Sequence, residues 1–306
     1  MQKGILLVLL TAVVSGFSIF INYYAVKGIN PFALTTLKNS IVALALLASV
    51  LVLERSQLYK MFEKRVFAKL LAIGFVGGSI PFLLFFYALS LLKSPATAGF
   101  IHKTLFLWAT IFAIVMLKEK IGSRFILGAM MLLAGNYLFF TPKHVNLFAE
   151  ALVLIATTCW ALENVIAKNV LKELSGTQVA FARMLFGSLF MVAALILFIP
   201  QGLQAALPLT MPQLSWVLIT SALLFLYVFT YYNGLKHVPV HIATSILLLA
   251  QPITATLSFY FLGKALSFEK ALGLFLIVCG VVLIVGISYV FSVIKRKVPI
   301  WVQIRA

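Results

Sequence analysis

Four ionisable residues lie inside runs of apolar sequence: Lys38, Lys103, Glu163 and Arg183. A charge near the middle of a bilayer costs about 2.5 to 3.5 kcal/mol on insertion scales, so each needs a partner, a wet cavity or a route to the interface. Lys38 stands seven positions inside its run and Arg183 six inside its own, near enough to opposite surfaces for long stems to snorkel towards a gate or a lipid phosphate. Lys103 follows His102 eight residues into a third run, where snorkelling and substrate contact explain it equally well. Glu163 differs from these three. It lies roughly 20 Å along its run at 1.5 Å per residue, past the midplane, and is the single carboxylate so placed. A buried carboxyl that takes up and releases a proton is what proton coupling requires. A structural ion pair with Lys38, Lys103 or Arg183 is the competing reading.

Other side chains join these by position. Pro81 and Pro252 each delete a helix hydrogen bond and leave a carbonyl free, which a membrane tolerates only where protein or water satisfies it again. Gln251 beside Pro252 has an amide to offer a cavity, although a simple kink is an equal reading. Trp108, Trp160, Tyr231, Tyr232, Asn164 and Asn233 suit an aromatic, weakly polar lining. Aromatics make up 13% of the chain, so packing competes for each of them. His237 and His241 have the i,i+4 spacing of a metal pair, but Pro239 between them marks a turn, and no metal site is expected. Cys159 and Cys279 fall in apolar runs without ligand partners, there is no aspartate, and the seven carboxylates are scattered glutamates. Metal clusters and paired-carboxylate catalysis are therefore poorly supported, and no cofactor is implied.

The elements that must hold these residues are membrane spans. With 63% of 306 residues apolar and 10% charged, the chain lacks the polar surface of a soluble fold. Runs of about 20 residues, enough to cross a hydrocarbon layer, fall at Gly4–Tyr24, Pro31–Leu53, Leu70–Leu91, Pro95–Leu117 and Ser123–Phe140. A second five follow at Ala149–Leu171, Thr177–Ile199, Leu214–Leu235, Val240–Leu262 and Phe268–Phe291. The first run resembles a secretory signal in length, but removing it would break the repeat described next.

Sliding the chain by 145 positions places Gly16 on Ala161, Lys38 on Arg183, Tyr87 on Tyr232, Gly128 on Gly273 and Gly135 on Gly280. Five crossings per copy force the second copy to enter from the opposite side, the inverted repeat of secondary transporters. The expectation is one transmembrane domain over 1–292, with halves 1–145 and 146–292, followed by a basic cytoplasmic tail at 293–306. The net charge of +17 sorts by side. Sixteen of 24 cations, among them Lys3, Arg55, Lys118, Lys168, Lys236 and Lys295, lie on the side of the termini, against five on the other. By the positive-inside rule both termini are cytoplasmic, and the basic balance reads as topology and lipid contact rather than nucleic-acid binding.

Cys159-Trp160-Ala161-Leu162, Tyr87-Ala88-Leu89, Leu117-Lys118-Glu119-Lys120 and the two glycine pairs, in this order and duplicated, resemble the drug/metabolite transporter superfamily and its ten-helix EamA-type exporters over nearly the whole length. The resemblance implies a cavity lined by segments one, three, four, six, eight and nine, with five and ten peripheral, and export of small metabolites, often amino acids. Three positions depart from the family pattern. Lys38 stands where arginine is usual, Leu107 and Trp108 replace a proline in segment four, and Lys264 stands where an acid often follows segment nine.

The resulting expectation is an all-α membrane protein of ten spans in two inverted five-helix repeats, a monomer or homodimer in the cytoplasmic membrane. It would export small polar metabolites by alternating access, driven by a gradient, with protons the candidate. Glu163 would couple protons; Lys38, His102, Lys103, Trp108, Trp160, Asn164, Arg183, Tyr232 and Gln251 would meet substrate. An organic-anion exchanger is the alternative, because three buried cations face one buried carboxylate. An integral-membrane lipid-modifying enzyme is the least supported, for want of a nucleophile with its base.

Overall fold

A computed structural model describes residues 1–25, 29–92, 95–139, 145–198, 209–263 and 266–286. The tail at 293–306, the end of the tenth segment, Lys264 and part of the join between the halves lie outside them. No strand occurs among the described residues. The helices are α1 (Gln2–Ala25), α2 (Pro31–Leu53), α3 (Lys64–Gly78), α4 (Ile80–Leu91), α5 (Pro95–Lys103), α6 (Leu105–Leu117) and α7 (Ser123–Tyr137). They continue as α8 (Leu147–Val170), α9 (Gly176–Phe198), α10 (Met211–Leu235), α11 (Val240–Ile246), α12 (Ala250–Leu262) and α13 (Phe268–Val285). Nine helical spans among the described residues are long and apolar enough to cross a membrane. The fifth expected segment is seen as the 15-residue α7.

Capping sets several of the ends. Asn146 accepts the Ala149 N–H at the start of α8, and Thr210 with Gln213 forms a reciprocal capping box on α10. Segment three starts at Lys64 rather than Leu70, because Lys64, Arg65 and Lys69 make its first two turns basic and a search for an apolar run leaves them out. Large apolar side chains such as Leu44 and Phe275 remain exposed, as lipid-facing positions should.

The packing reproduces the duplication. α1 lies on α10 as α8 lies on α3 and α4; α1 meets α12 as α8 meets α6; α9 meets α3 as α2 meets α10. Exchanging the halves maps each contact onto another. α7 and α13 pack on each other through their glycines: a Cβ on Gly128 would meet the Gly280 carbonyl oxygen at 2.8 Å, and one on Gly135 the Gly273 oxygen at 2.7 Å. The early glycine of one helix faces the late glycine of the other, so these equivalent helices run antiparallel and the repeat is inverted. The glycines thus bring five against ten within one chain.

The breaks follow the same register. α5 gives way to α6 at Thr104, and a 3₁₀ turn at Leu247–Leu249 separates α11 from α12 at the equivalent position. Thr104 Oγ1 donates to the Ile101 carbonyl at 2.7 Å, a side-chain competitor for the helix ladder that does without the missing proline. Lys118 after α6 and Gly263 after α12, also equivalent, both take left-handed φ values, 59° and 62°. Segment three breaks at Ser79, between α3 and α4, whereas its partner α10 is continuous.

Candidate functional site

The break in segment three organises the polar centre. Pro81 has no N–H to give the carbonyl four residues back, that of Gly77. That oxygen instead accepts the Trp160 indole N–H and an Arg183 guanidinium N–H, each at 3.0 Å. A carbonyl has two lone pairs, and both are used here. The first half therefore supplies the acceptor, and α8 and α9 of the second half supply the donors.

Glu163 sits one turn beyond Trp160, is 3% exposed, and accepts the Tyr232 hydroxyl at 2.5 Å from α10. Of the three cations considered for it, Arg183 is the one within reach: Nε lies 3.9 Å from Oε2. That spacing makes an ion pair without a hydrogen bond, and Nε has no hydrogen-bond partner. The hydrogen bond that Arg183 makes, from Nη2, goes to Gly77 rather than to the carboxylate. Gly77 is glycine for a reason, since a Cβ there would collide with Glu163 Cγ and stand 2.9 Å from Cδ. Asn164 continues the network, donating to the Trp160 carbonyl at 2.8 Å and accepting the Tyr231 hydroxyl at 2.5 Å. Aromatic rings cover one side. Trp160 meets Phe82, Phe85 and His102 edge-on at 5.2, 5.7 and 4.9 Å, and Arg183 lies 6.0 Å from the Phe82 ring.

A second polar feature lies among α5, α7 and α12. Lys103, Asn136 and Gln251, with Gly99, Phe100 and Phe139, line a cavity of about 230 Å³. Gln251 Oε1 is buried with no hydrogen-bond partner, as is His102 Nδ1 nearby in sequence. Among the described residues neither Lys103 nor Lys38 has a carboxylate within 4.0 Å. Lys38 donates to Asn22 Oδ1 at 3.1 Å, and Asn22 donates to Ser18 Oγ at 3.0 Å. Ser18 is the repeat equivalent of Glu163, so the first half carries a counterpart of the Arg183–Glu163 pair in which a hydroxyl replaces the carboxylate.

The structure thus brings Pro81, Trp160, Glu163, Asn164, Arg183 and Tyr232 to one centre, with His102 on its aromatic edge. Lys103 and Gln251 meet in a separate cavity, and Pro252 sits in the first turn of α12, just past the 3₁₀ turn. Trp108 packs against the main core, and Lys38 stays with α1. Sequence reasoning missed Gly77, whose signal was its place four residues before Pro81, and Asn136, which had none. It named Glu119 only within a family motif and gave it no role. That carboxylate follows α6 and accepts the N–H groups of Val240 and His241 at 2.8 and 3.4 Å and meets the His241 ring at 2.5 Å, capping α11. Burial pushes the Glu119 carboxyl up, but the His241 ring, the two backbone N–H groups and the His241 charge outweigh it and hold the group below its ordinary value.

A duplicated, inverted helical bundle with a polar centre joining its halves is a multi-pass membrane protein of the transporter type. The profile of the EamA-like transporter family matches residues 2–141 and again 147–286, the same 145-residue step, and the chain belongs to that family. It is 28% identical over 186 residues to YhbE of Escherichia coli strain K12, described as an uncharacterized inner membrane transporter, and spans 58% of that protein's length. It is 24% identical over 299 residues, 92% of each chain, to an uncharacterized transporter of Clostridium kluyveri. A solved crystal structure, 20% identical, superposes with a TM-score of 0.75 over 92% of this chain and 98% of that one, a likeness of fold.

Proposed function

We propose that this protein is a secondary transporter that exports small polar metabolites, amino acids or related compounds, by alternating access in the cytoplasmic membrane, with both termini in the cytoplasm. The observation that carries the reading is the Gly77 carbonyl, which ties the first half to Trp160 and Arg183 of the second beside a buried carboxyl. In this reading, rocking one inverted half against the other remakes those bonds beside Glu163.

Proton coupling through Glu163 is part of the proposal. A carboxylate clamped by both guanidinium nitrogens would be held in its charged form, whereas here Arg183 stands off at 3.9 Å. The test is uptake of a metabolite panel into proteoliposomes with and without an imposed pH gradient. Wild type should respond to the gradient, and Glu163→Gln, folded and still binding substrate, should not. An unchanged pH response in that variant would remove Glu163 from coupling. Collapse of the fold in Glu163→Gln, with a pH response surviving in other variants of the centre, would instead favour a structural pair.

The second reading, exchange of organic anions, is favoured by Lys38 and Lys103, which have no carboxylate within 4.0 Å among the described residues. Lys103→Gln and Arg183→Gln should then weaken an anionic or zwitterionic substrate far more than its neutral amide analogue. Equal losses for both analogues would return the cations to a structural role.

A further inference from the structure

A groove of about 550 Å³ runs along α1 between α10, the start of α9 and the start of α12, and none of the residues of the polar centre lines it. Its walls are mainly apolar, with Leu6, Leu10 and Val13 of α1, Phe229 of α10 and Ile253 of α12, and Ser175 and Asn233 are polar members near the mouth end of α9 and α10. Its mouth is basic, with Lys3, Lys236 and His237 on the side of the termini. From Lys3 to Val13 is ten residues, about 15 Å of helix at 1.5 Å per residue. That is half of a hydrocarbon core of about 30 Å, the depth of one leaflet. The charges that act on His237 at the mouth are positive. Partial burial, then the positive charges of the amino terminus, Lys236, Lys3 and Lys168, hold the His237 imidazole below its ordinary value. Glu119 nearby is already engaged by Val240 and His241.

We propose that this groove binds one phospholipid with an anionic headgroup, its phosphate at Lys3 and Lys236 and one acyl chain along α1. Apolar walls one leaflet deep under a cationic rim match both ends of such a molecule, and a basic pocket between helices on the terminus side is where anionic headgroups collect. The far end of the chain reaches Leu249 and Ile253, on either side of the start of α12, and Ile253 packs on Gly16 of α1. The lipid therefore wedges against the break in segment nine, so its occupancy biases the movement of that segment.

Native mass spectrometry and thermal unfolding of the full-length purified protein test this, with phosphatidylglycerol, phosphatidylcholine of the same chains, and glycerol phosphate as probes. Each surface lysine is worth about fivefold in affinity for an anionic headgroup, so phosphatidylglycerol should bind on the order of thirtyfold tighter than phosphatidylcholine. Lys3→Gln with Lys236→Gln should erase that preference, and Val13→Trp should weaken both lipids alike. Lys3→Gln alone, in the first turn of α1, should lose about fivefold and serves if the double variant does not fold. Equal affinity for the two lipids, a preference that survives the lysine changes, or stabilisation by glycerol phosphate as strong as that by phosphatidylglycerol would each overturn the proposal.

Discussion

Replacing Gly77 with alanine should damage the polar centre by an amount that depends on what stands at position 163. The new Cβ would overlap Glu163 Cγ and lie 2.9 Å from Cδ and 3.0 Å from Cβ, so the glutamate must swing away. Overpacking of this kind costs about 1–3 kcal/mol. Losing the hydrogen bond between Tyr232 and the carboxylate adds about 1.5–3 kcal/mol. Alanine returns about 1 kcal/mol through its better helix propensity. The balance is a loss of about 1.5–5 kcal/mol. In a Glu163→Ala background only the Cβ at 3.0 Å remains in the way, and the helix-propensity gain of about 1 kcal/mol offsets that smaller crowding, so the same change should be close to neutral. Unfolding of wild type, both single variants and the double variant, purified in the same detergent, closes the cycle. Gly99→Ala is the control, because a Cβ there meets nothing within 4 Å. Equal cost of Gly77→Ala in both backgrounds would refute the close approach of α3 to Glu163.

Lys118 holds a left-handed conformation that costs a side-chain-bearing residue about 1–2 kcal/mol, so Lys118→Gly should raise the unfolding midpoint and Gly263→Ala, in open space, should lower it. Glu119 has a folded-state value below the ordinary 4.5, so its stabilising contribution is full above pH 4.5 and fades as pH falls through the folded value. Wild type should accordingly lose its stability advantage over Glu119→Gln on acidification below that point, read from unfolding midpoints across pH. For topology, single cysteines in a background lacking Cys159 and Cys279 should label from the cytoplasm at Lys3 and Lys172 and from outside at Val145; cytoplasmic labelling of Val145 would reverse the assignment.

The spans and their duplication were legible because lipid imposes one rule on every crossing segment, a long apolar run, and because the 145-residue step preserves glycine positions where helices touch. Lys118 and Gly263 show the limit of such matching: they share a backbone conformation and no chemistry. The broken third segment was readable from Pro81, since a missing N–H is a property of one residue. Its consequence was not, because the donors that satisfy Gly77 come from positions 160 and 183, far along the chain. Arg183 was chosen for its charge, yet its position depends on a neutral carbonyl. The break at Thr104 has only a hydroxyl to announce it, a weak signal in a helix where threonine is common. Asn136 came into the Lys103 cavity from a helix expected to stand at the periphery.

The shared carbonyl of Gly77 also constrains how this chain can change. A residue with an N–H at position 81 could close the helix bond and leave the indole and guanidinium without their acceptor, in surroundings that penalise unmet donors. Losing Trp160 or Arg183 while Pro81 remains would strand part of the acceptor instead. Pro81, Trp160 and Arg183 therefore form a set in which single replacements pass through a less fit intermediate and paired ones need not. Substitutions that look mild one at a time will differ sharply in their effect according to the sequence background that receives them.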